Sequence, residues 1–160
     1  PDSIRSGLDT VATRIDHLVV AVTDLEAAVA SFTGTFGFHR TALAGGDVPG
    51  VVALQAGGVT IVFVGADASP AVATYLAAHG GGVQHISVEV LNAGYARACL
   101  ADTEASLLTD VVVDLDGHEQ FFAARDATTG VQLGFISRTG HRVGVAAANV
   151  LTMFDVLSTE

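Results

Sequence analysis

Apolar residues along this chain recur in two alternating rhythms. Ile15-Asp16-His17-Leu18-Val19-Val20-Ala21-Val22 is a β-branched run that reads as a buried strand. Thr23 or Asp24 can cap the helix that follows, with Glu26 in the first turn, where the helix dipole favours an anion. Leu25, Ala28, Val29, Phe32 and Phe36 then recur at helical spacing, which predicts a helix over 25–35 that stops at Gly37. Three short strands are predicted next, at Phe38–Ala42, Val51–Gln55 and Val59–Val64, with Gly57-Gly58 as the hairpin turn between the last two. Pro70 opens a second helix that ends near His79, before Gly80-Gly81-Gly82.

The order then returns. Val83–Val90 reads as a strand, Asn92–Leu100 as a helix, and Leu107–Val113, Glu119–Ala124 and Val131–Ser137 as strands. Strand, helix and three strands thus occur twice, at a period of about 70 residues, too long for a solenoid and suited to a duplicated supersecondary unit. The class is α+β: two βαβββ modules forming a cupped, mostly antiparallel sheet, with a C-terminal helix. Residues 1–13 read as a loose arm or short helix. Residues 14–160 read as one domain, with module one at about 14–66, module two at about 83–138 and a closing helix at about 145–157.

Composition narrows the partners. Half of the residues are apolar, and the chain carries 7 Lys+Arg against 17 Asp+Glu, for a net charge of -10. Every one of those cations is Arg. Such a chain is repelled by phosphate backbones and anionic lipid, so neither nucleic acid nor a membrane is expected as a partner, and a small-molecule substrate is. Cys99 is the only cysteine, which excludes an internal disulfide and reads as a small core filler. The start, Pro1–Thr10, has no apolar run of the signal-peptide kind, and no stretch approaches the roughly 20 residues needed to span a bilayer. A cytoplasmic protein is expected, and a homodimer would cover its exposed strand edges.

The repeat places a histidine in the first strand of each half: Asp16-His17-Leu18-Val19-Val20 corresponds to Gln84-His85-Ile86-Ser87-Val88. Either imidazole can be a satisfied core group or a metal ligand, and a matched pair on equivalent strands suits two cis positions on one ion. His39, His79, His118 and His141 lack such a counterpart and read as surface or loop residues. Asp16 alternates to the opposite sheet face from His17, so the two do not read as a dyad. Gln120 and Gln132 are amides in apolar strands, each bonded in the core or facing a polar cavity. Arg125 and Arg138 flank the last strand. Arg138 at the mouth of the cup could hold a carboxylate through both arms.

In order, the motifs resemble the vicinal-oxygen-chelate superfamily, which includes glyoxalase I, methylmalonyl-CoA epimerase, extradiol dioxygenases and antibiotic-sequestering proteins. The residues that carry the likeness at the start are Asp16-His17-Leu18-Val19-Val20, Asp24-Leu25-Glu26 and Phe36-Gly37-Phe38. Four later segments are most similar to the catalytic barrel of 4-hydroxyphenylpyruvate dioxygenase and hydroxymandelate synthase. They are Tyr75-Leu76 with Gly80–Ile86, Gln120-Phe121-Phe122, Phe135–Arg138, and the closing Gly144, Asn149 and Phe154. The resemblance implies that His17 and His85 are metal ligands, that Gln120 is catalytic and orients substrate, and that Phe122 is one wall of an aromatic clamp. Val145 falls at the second clamp position, and Gln132 and Arg138, on their own chemistry, complete the expected substrate contacts.

The departures from that pattern are specific. The third ligand, a Glu in the last strand, falls on Gly134, and the carboxylate or amide of related first-half strands falls on Val62. Glu119, Asp116 and Glu89 are the nearest candidates to substitute, with Glu119 foremost. Gly134 can also mark a bulge, or admit an exogenous anion close to the backbone. The implied activity is that of a non-haem Fe(II) enzyme, dioxygenase-like, acting on a small oxo acid. Another divalent metal or none is the alternative for the cofactor. Two other functions stay open: a metal-dependent epimerase, isomerase or lyase of the glyoxalase type, and a metal-free protein that binds and sequesters a small molecule.

Overall fold

A computed structural model describes residues 7–43, 46–113, 117–138, 150–152 and 154–155. Its contacts divide into two compact units. One contains residues 17–84 and the C-terminal segment; the other contains the N-terminal residues through Asp16 together with the chain from His85.

The 17–84 unit builds its sheet in the order β2-β3-β4-β1. These strands are β1 (Ala12–Ala21, of which residues 17–21 belong here), β2 (His39–Thr41), β3 (Val51–Ala56) and β4 (Val59–Val64). β3 and β4 form the antiparallel hairpin that Gly57-Gly58 predicts, with Ala56 opposite Val59. β1 returns parallel to β4, with Leu18 opposite Ile61 and Ala21 opposite Val64. Alternation along β1 divides the core. Leu18 and Val20 pack with Val29, Phe32 and Phe63 beside helix α2 (Leu25–Gly34), whereas Val19 and Ala21 pack with Val72, Tyr75 and Leu76 of helix α3 (Pro70–His79). Val150 and Phe154 join that second cluster, and residues 150–152 and 154–155 are helical, as the closing-helix expectation requires.

The other unit repeats the plan in the order β5-β8-β7-β6. Its strands are β5 (Gly82–Val90, from His85 onward in this unit), β6 (Val112–Val113), β7 (Glu119–Phe122) and β8 (Leu133–Ser137). β8 runs parallel to β5, with Ser87 opposite Gly134, and antiparallel to β7, with Phe122 opposite Gly134. Val90, Phe121 and Phe135 pack on helix α4 (Ala93–Ala101) through Ala93 and Ala96. Phe121 and Phe135 stack with centroids 4.8 Å apart, a geometry that contributes about 1 kcal/mol beyond area burial. Each unit therefore pairs its first and last strands in parallel and leaves the rest antiparallel.

The helix starts follow capping chemistry. Asp24, Ser69 and Asn92 accept hydrogen bonds from the amides of Ala27 (3.0 Å), Val72 (3.3 Å) and Tyr95 (2.8 Å). Asn92 is thus the cap of α4, not its first residue. In the predicted arm, residues Leu8–Val11 form one helical turn (α1), whose Leu8 and Val11 pack against the α4 core.

Among the strand boundaries that differ from the periodicity, three bear on the site's surroundings. β1 begins at Ala12, three residues before the apolar run at Ile15; residues 12–14 are solvent-exposed, so burial left no apolar pattern there to mark them. The predicted strand Leu107–Val113 shrinks to Val112–Val113 plus a single bridge between Leu107 and Ala123. Thr109 is the physical reason: its hydroxyl takes the Phe122 amide (3.1 Å) and its carbonyl takes Arg97 Nε (2.9 Å), so the ladder is interrupted there. The last strand begins at Leu133, because residues 126–131 close a turn in which Asp126 N donates to the Val131 carbonyl (2.9 Å) and Gly130 N donates to the Asp126 carbonyl (2.7 Å). Among the described residues, no helix is long and apolar enough to cross a membrane.

Candidate functional site

The two histidines occupy corresponding places, one in the first strand of each unit. His17 is 3 % exposed and shares its strand face with Val19 and Ala21, the face that packs on α3. His85 is 2 % exposed and lies on the face of β5 opposite Val88 and Val90, which pack with the α4 core.

On that second face, the register brings several predicted residues together. Ser87 follows His85 by two positions and lies opposite Gly134; Gly134 in turn lies opposite Phe122, and Ile136 opposite Gln120. The Phe122 ring meets His85 edge to face, with centroids 5.7 Å apart and an interplanar angle of 78°. Gln120 is buried two residues from Phe122, on the same side of β7. His85, Gln120 and Phe122 thus share one surface of this unit. Glu119, the foremost substitute ligand, does not share it. It pairs with Ser137 and alternates to the side of Phe121 and Phe135.

Gly134 has a packing reason. A Cβ built there would stand 3.0 and 3.1 Å from Phe122 Cδ1 and Cε1 and 3.3 Å from His85 Cδ2. A side chain at position 134 would press on the Phe122 ring, which would have to give by a few tenths of an ångström. Val62, the other vacated carboxylate position, is fully buried between Val19 and Ala53. Among the described residues, no three side chains of His, Cys, Asp and Glu group closely enough to hold a metal ion. The residues around His85 therefore do not fit a three-ligand site built on position 134.

Two further expected substrate residues have partners within the protein. Gln132 is 1 % exposed and its Nε2 donates to the Ala123 carbonyl (2.9 Å), as the core-bonded alternative has it. Arg138 does not present its fork to a substrate carboxylate. Its Nε and Nη2 donate to Asp16 Oδ1 and Oδ2 at 2.7 and 2.6 Å, and both side chains are nearly buried. Glu89, proposed as a substitute ligand, is likewise committed. It accepts from Thr13 Oγ1 and Arg14 Nε (3.1 and 3.2 Å) and lies 4.0 Å from Arg138 Nε. The hydrogen bond and charge of Glu89 hold the Arg14 guanidinium above its ordinary pKa. Asp116 and Val145 lie outside the described residues.

One residue of this face carried no sequence signal beyond its spacing. Ser87 is 1 % exposed, and it is a hydroxyl in a β-branched strand at two residues from a histidine.

A groove of about 550 Å³ lies elsewhere in the same unit, lined by residues that include Glu104, Ser106, Arg125, Asp126 and Thr129. None of the predicted ligand or substrate residues lines it. At its rim, Asp126 accepts from the Thr129 hydroxyl (2.7 Å) and the Thr129 amide (2.8 Å), which hold its carboxyl below the usual range. That stabilisation of the turn is present above the unfolded carboxyl's pKa and is lost as pH falls through the folded one. Thr129→Ala is expected to raise the Asp126 pKa part of the way back, since the amide bond remains. A carboxyl-carbon NMR titration that found no rise would contradict the hydroxyl's leading part.

Comparison with known proteins places this geometry. Residues 16–123 match the Glyoxalase/Bleomycin resistance protein/Dioxygenase superfamily. No curated protein matches the chain. Among solved structures, a hypothetical protein of Bacillus halodurans superposes with a TM-score of 0.69 at 19% identity, covering 81% of this chain and 96% of that one. A methylmalonyl-CoA epimerase variant of Streptomyces coelicolor, in complex with 2-nitronate-propionyl-CoA, superposes with a TM-score of 0.62 at 26% identity, covering 81% and 96%. The methylmalonyl-CoA epimerase of Mycobacterium tuberculosis gives 0.64 at 18% identity, covering 81% and 90%.

Proposed function

We propose that this chain, which belongs to the Glyoxalase/Bleomycin resistance protein/Dioxygenase superfamily, is a glyoxalase-type epimerase or isomerase that moves a proton on the carbon beside a substrate carbonyl. The observation that carries this reading is the 26% identity to the Streptomyces coelicolor methylmalonyl-CoA epimerase, spread over 81% of this chain and 96% of that one. The substrate class is a small acyl compound with an acidic C–H, for which an acyl thioester is the first test.

The chemistry needs a group that takes and returns a proton and a donor that steadies charge on the carbonyl oxygen. On the face described above, the His85 imidazole is suited to the first task and the Gln120 amide to the second. The Phe122 ring shields both from water on one side, which strengthens each polar contact. For the metal that the family resemblance implies, Fe(II) above all, position 134 beside His85 does not supply the third ligand.

The 4-hydroxyphenylpyruvate dioxygenase-like activity gives way to this reading. An Fe(II) oxygenase depends on two imidazoles and a carboxylate that leave open positions for dioxygen. Here a glycine stands in the carboxylate's place with an aromatic ring against it, and two of the three named solved relatives are epimerases.

The test is proton NMR in D2O with methylmalonyl-CoA and a short panel of acyl thioesters, run with and without added divalent cation. Enzyme-dependent loss of the signal from the C–H beside the carbonyl is expected, unchanged under anaerobic conditions. His85→Ala should slow it by about 100-fold or more. Tight calorimetric binding without exchange would identify a sequestering protein, and substrate-dependent oxygen uptake would restore the oxygenase.

A further inference from the structure

Buried polar atoms in folded proteins nearly always have a partner, because leaving one unmet costs the full desolvation of the group. In the unit from His85 onward, Ser87 Oγ and Arg138 Nη1 are both buried and without a hydrogen-bond partner. The guanidinium nitrogen can only donate, and the hydroxyl can donate as well as accept, so an acceptor atom brought by a ligand would satisfy either one.

Ser87 is the one placed beside the reacting groups. It stands on the same face of β5 as His85, two residues on, with Gly134 as its neighbour in β8. Alternate residues on a strand face are separated by about 7 Å, so a ligand that touches the imidazole also reaches the hydroxyl. Alanine would fill this buried position without an unmet group, so the hydroxyl is costly to folding and finds its use only when a ligand is bound.

The charge around it selects the acceptor. The ionised side chains beyond Ser87 on this side are Glu89, Arg14, Arg138 and Asp16, linked by contacts of 2.6 to 4.0 Å, and they balance as two cations against two anions. An anionic group brought against Ser87 would find both guanidiniums already in ion pairs, with Arg138 Nη1 as an unmet donor but no net positive charge to balance it, whereas a neutral carbonyl oxygen needs no counter-charge.

We propose that Ser87 is a substrate-binding residue, whose hydroxyl donates to the neutral carbonyl oxygen of the substrate and holds it beside His85. The proposal rests on the reading of the site given under the proposed function and adds to it the residue and the kind of oxygen recognised. In exchange chemistry the same bond would strengthen as negative charge develops on that oxygen.

The probe is propionyl-CoA labelled with carbon-13 at the thioester carbonyl, a thioester without a carboxylate on its acyl group. With the wild-type protein, its carbonyl stretch is expected to move to lower wavenumber on binding. With Ser87→Ala, the stretch should return toward its position in water, and binding measured by calorimetry should weaken about 3- to 10-fold. The Tm of Ser87→Ala should equal or exceed that of the wild type, which separates a lost ligand contact from a damaged fold. Ser87→Thr, which keeps the hydroxyl, should keep most of the shift. An identical stretch and affinity in Ser87→Ala would overturn the proposal even if proton exchange proceeds. Binding with the shift but without exchange would uphold Ser87 and sink the epimerase reading. A wild-type protein that does not bind the thioester would overturn both.

Discussion

Asp16→Ala is expected to destabilise the protein by about 3–5 kcal/mol, the range for removing one partner of a buried ion pair. The pair it breaks joins residues 122 positions apart, through two charge-assisted bonds of 2.7 and 2.6 Å. Both side chains are nine-tenths or more out of water, at 3 % exposure for Asp16 and 9 % for Arg138. Loss of the carboxylate strands a buried guanidinium whose Nη1 already lacks a partner. Glu89, 4.0 Å from Arg138 Nε, can take up part of the lost interaction and places the effect toward the lower end of that range. Replacing both partners at once, as Asp16→Leu with Arg138→Met, should cost much less than the sum of the single changes, because no charge is then left buried. Urea unfolding of the wild type, both single variants and the double variant would measure the coupling. Strict additivity would show that the pair contributes nothing beyond its separate parts.

That pair also shows where sequence reasoning stops. Alternation along the first strand correctly separates Asp16 from His17, since His17 faces with Val19 and Ala21. It says nothing of which distant cation Asp16 meets, because the partner sits just beyond β8. Arg138 therefore reads as a substrate anchor until the contact is seen. The regular elements were legible for the opposite reason. Pro70–His79 and Val59–Val64 carry their caps, turns and periodicity within a few residues, and each appears with the boundaries they imply. Leu107–Val113 failed because one side chain, Thr109, diverts an amide from the ladder, a competition that apolar periodicity does not register. The candidate site was half legible. Duplication marks His17 and His85 as equivalents, and spacing brings Gln120 and Phe122 to one side of a strand. The reason for a glycine at 134 depends on a ring from a different strand, so it becomes visible only in the packing.

Gly134→Glu tests that reason directly. The single variant is expected to lose about 2–4 kcal/mol of stability and to gain no affinity for a divalent metal over the wild type. A Cβ at this position meets the Phe122 ring at 3.0 Å, closer than a side chain tolerates without the ring moving. The ring itself is 2 % exposed and rests against His85, so it has little room to yield. Beyond the Cβ, the carboxylate would be added beside His85 and Phe122, each 2 % exposed, where an unpaired charge is costly. Adding Phe122→Ala removes the obstruction. The double variant should then recover stability relative to the sum of its parts, and the carboxylate would have space beside the imidazole. Co(II) titration followed by visible absorption, with His85→Ala as the control, reads the outcome. A gain of about 10-fold or more in affinity for the double variant over the wild type, abolished by His85→Ala, is the expected result. A single Gly134→Glu variant that folds as stably as the wild type and binds Co(II) tightly would show that Phe122 does not close the position. The glycine would then be an open ligand place and not a seat for the ring.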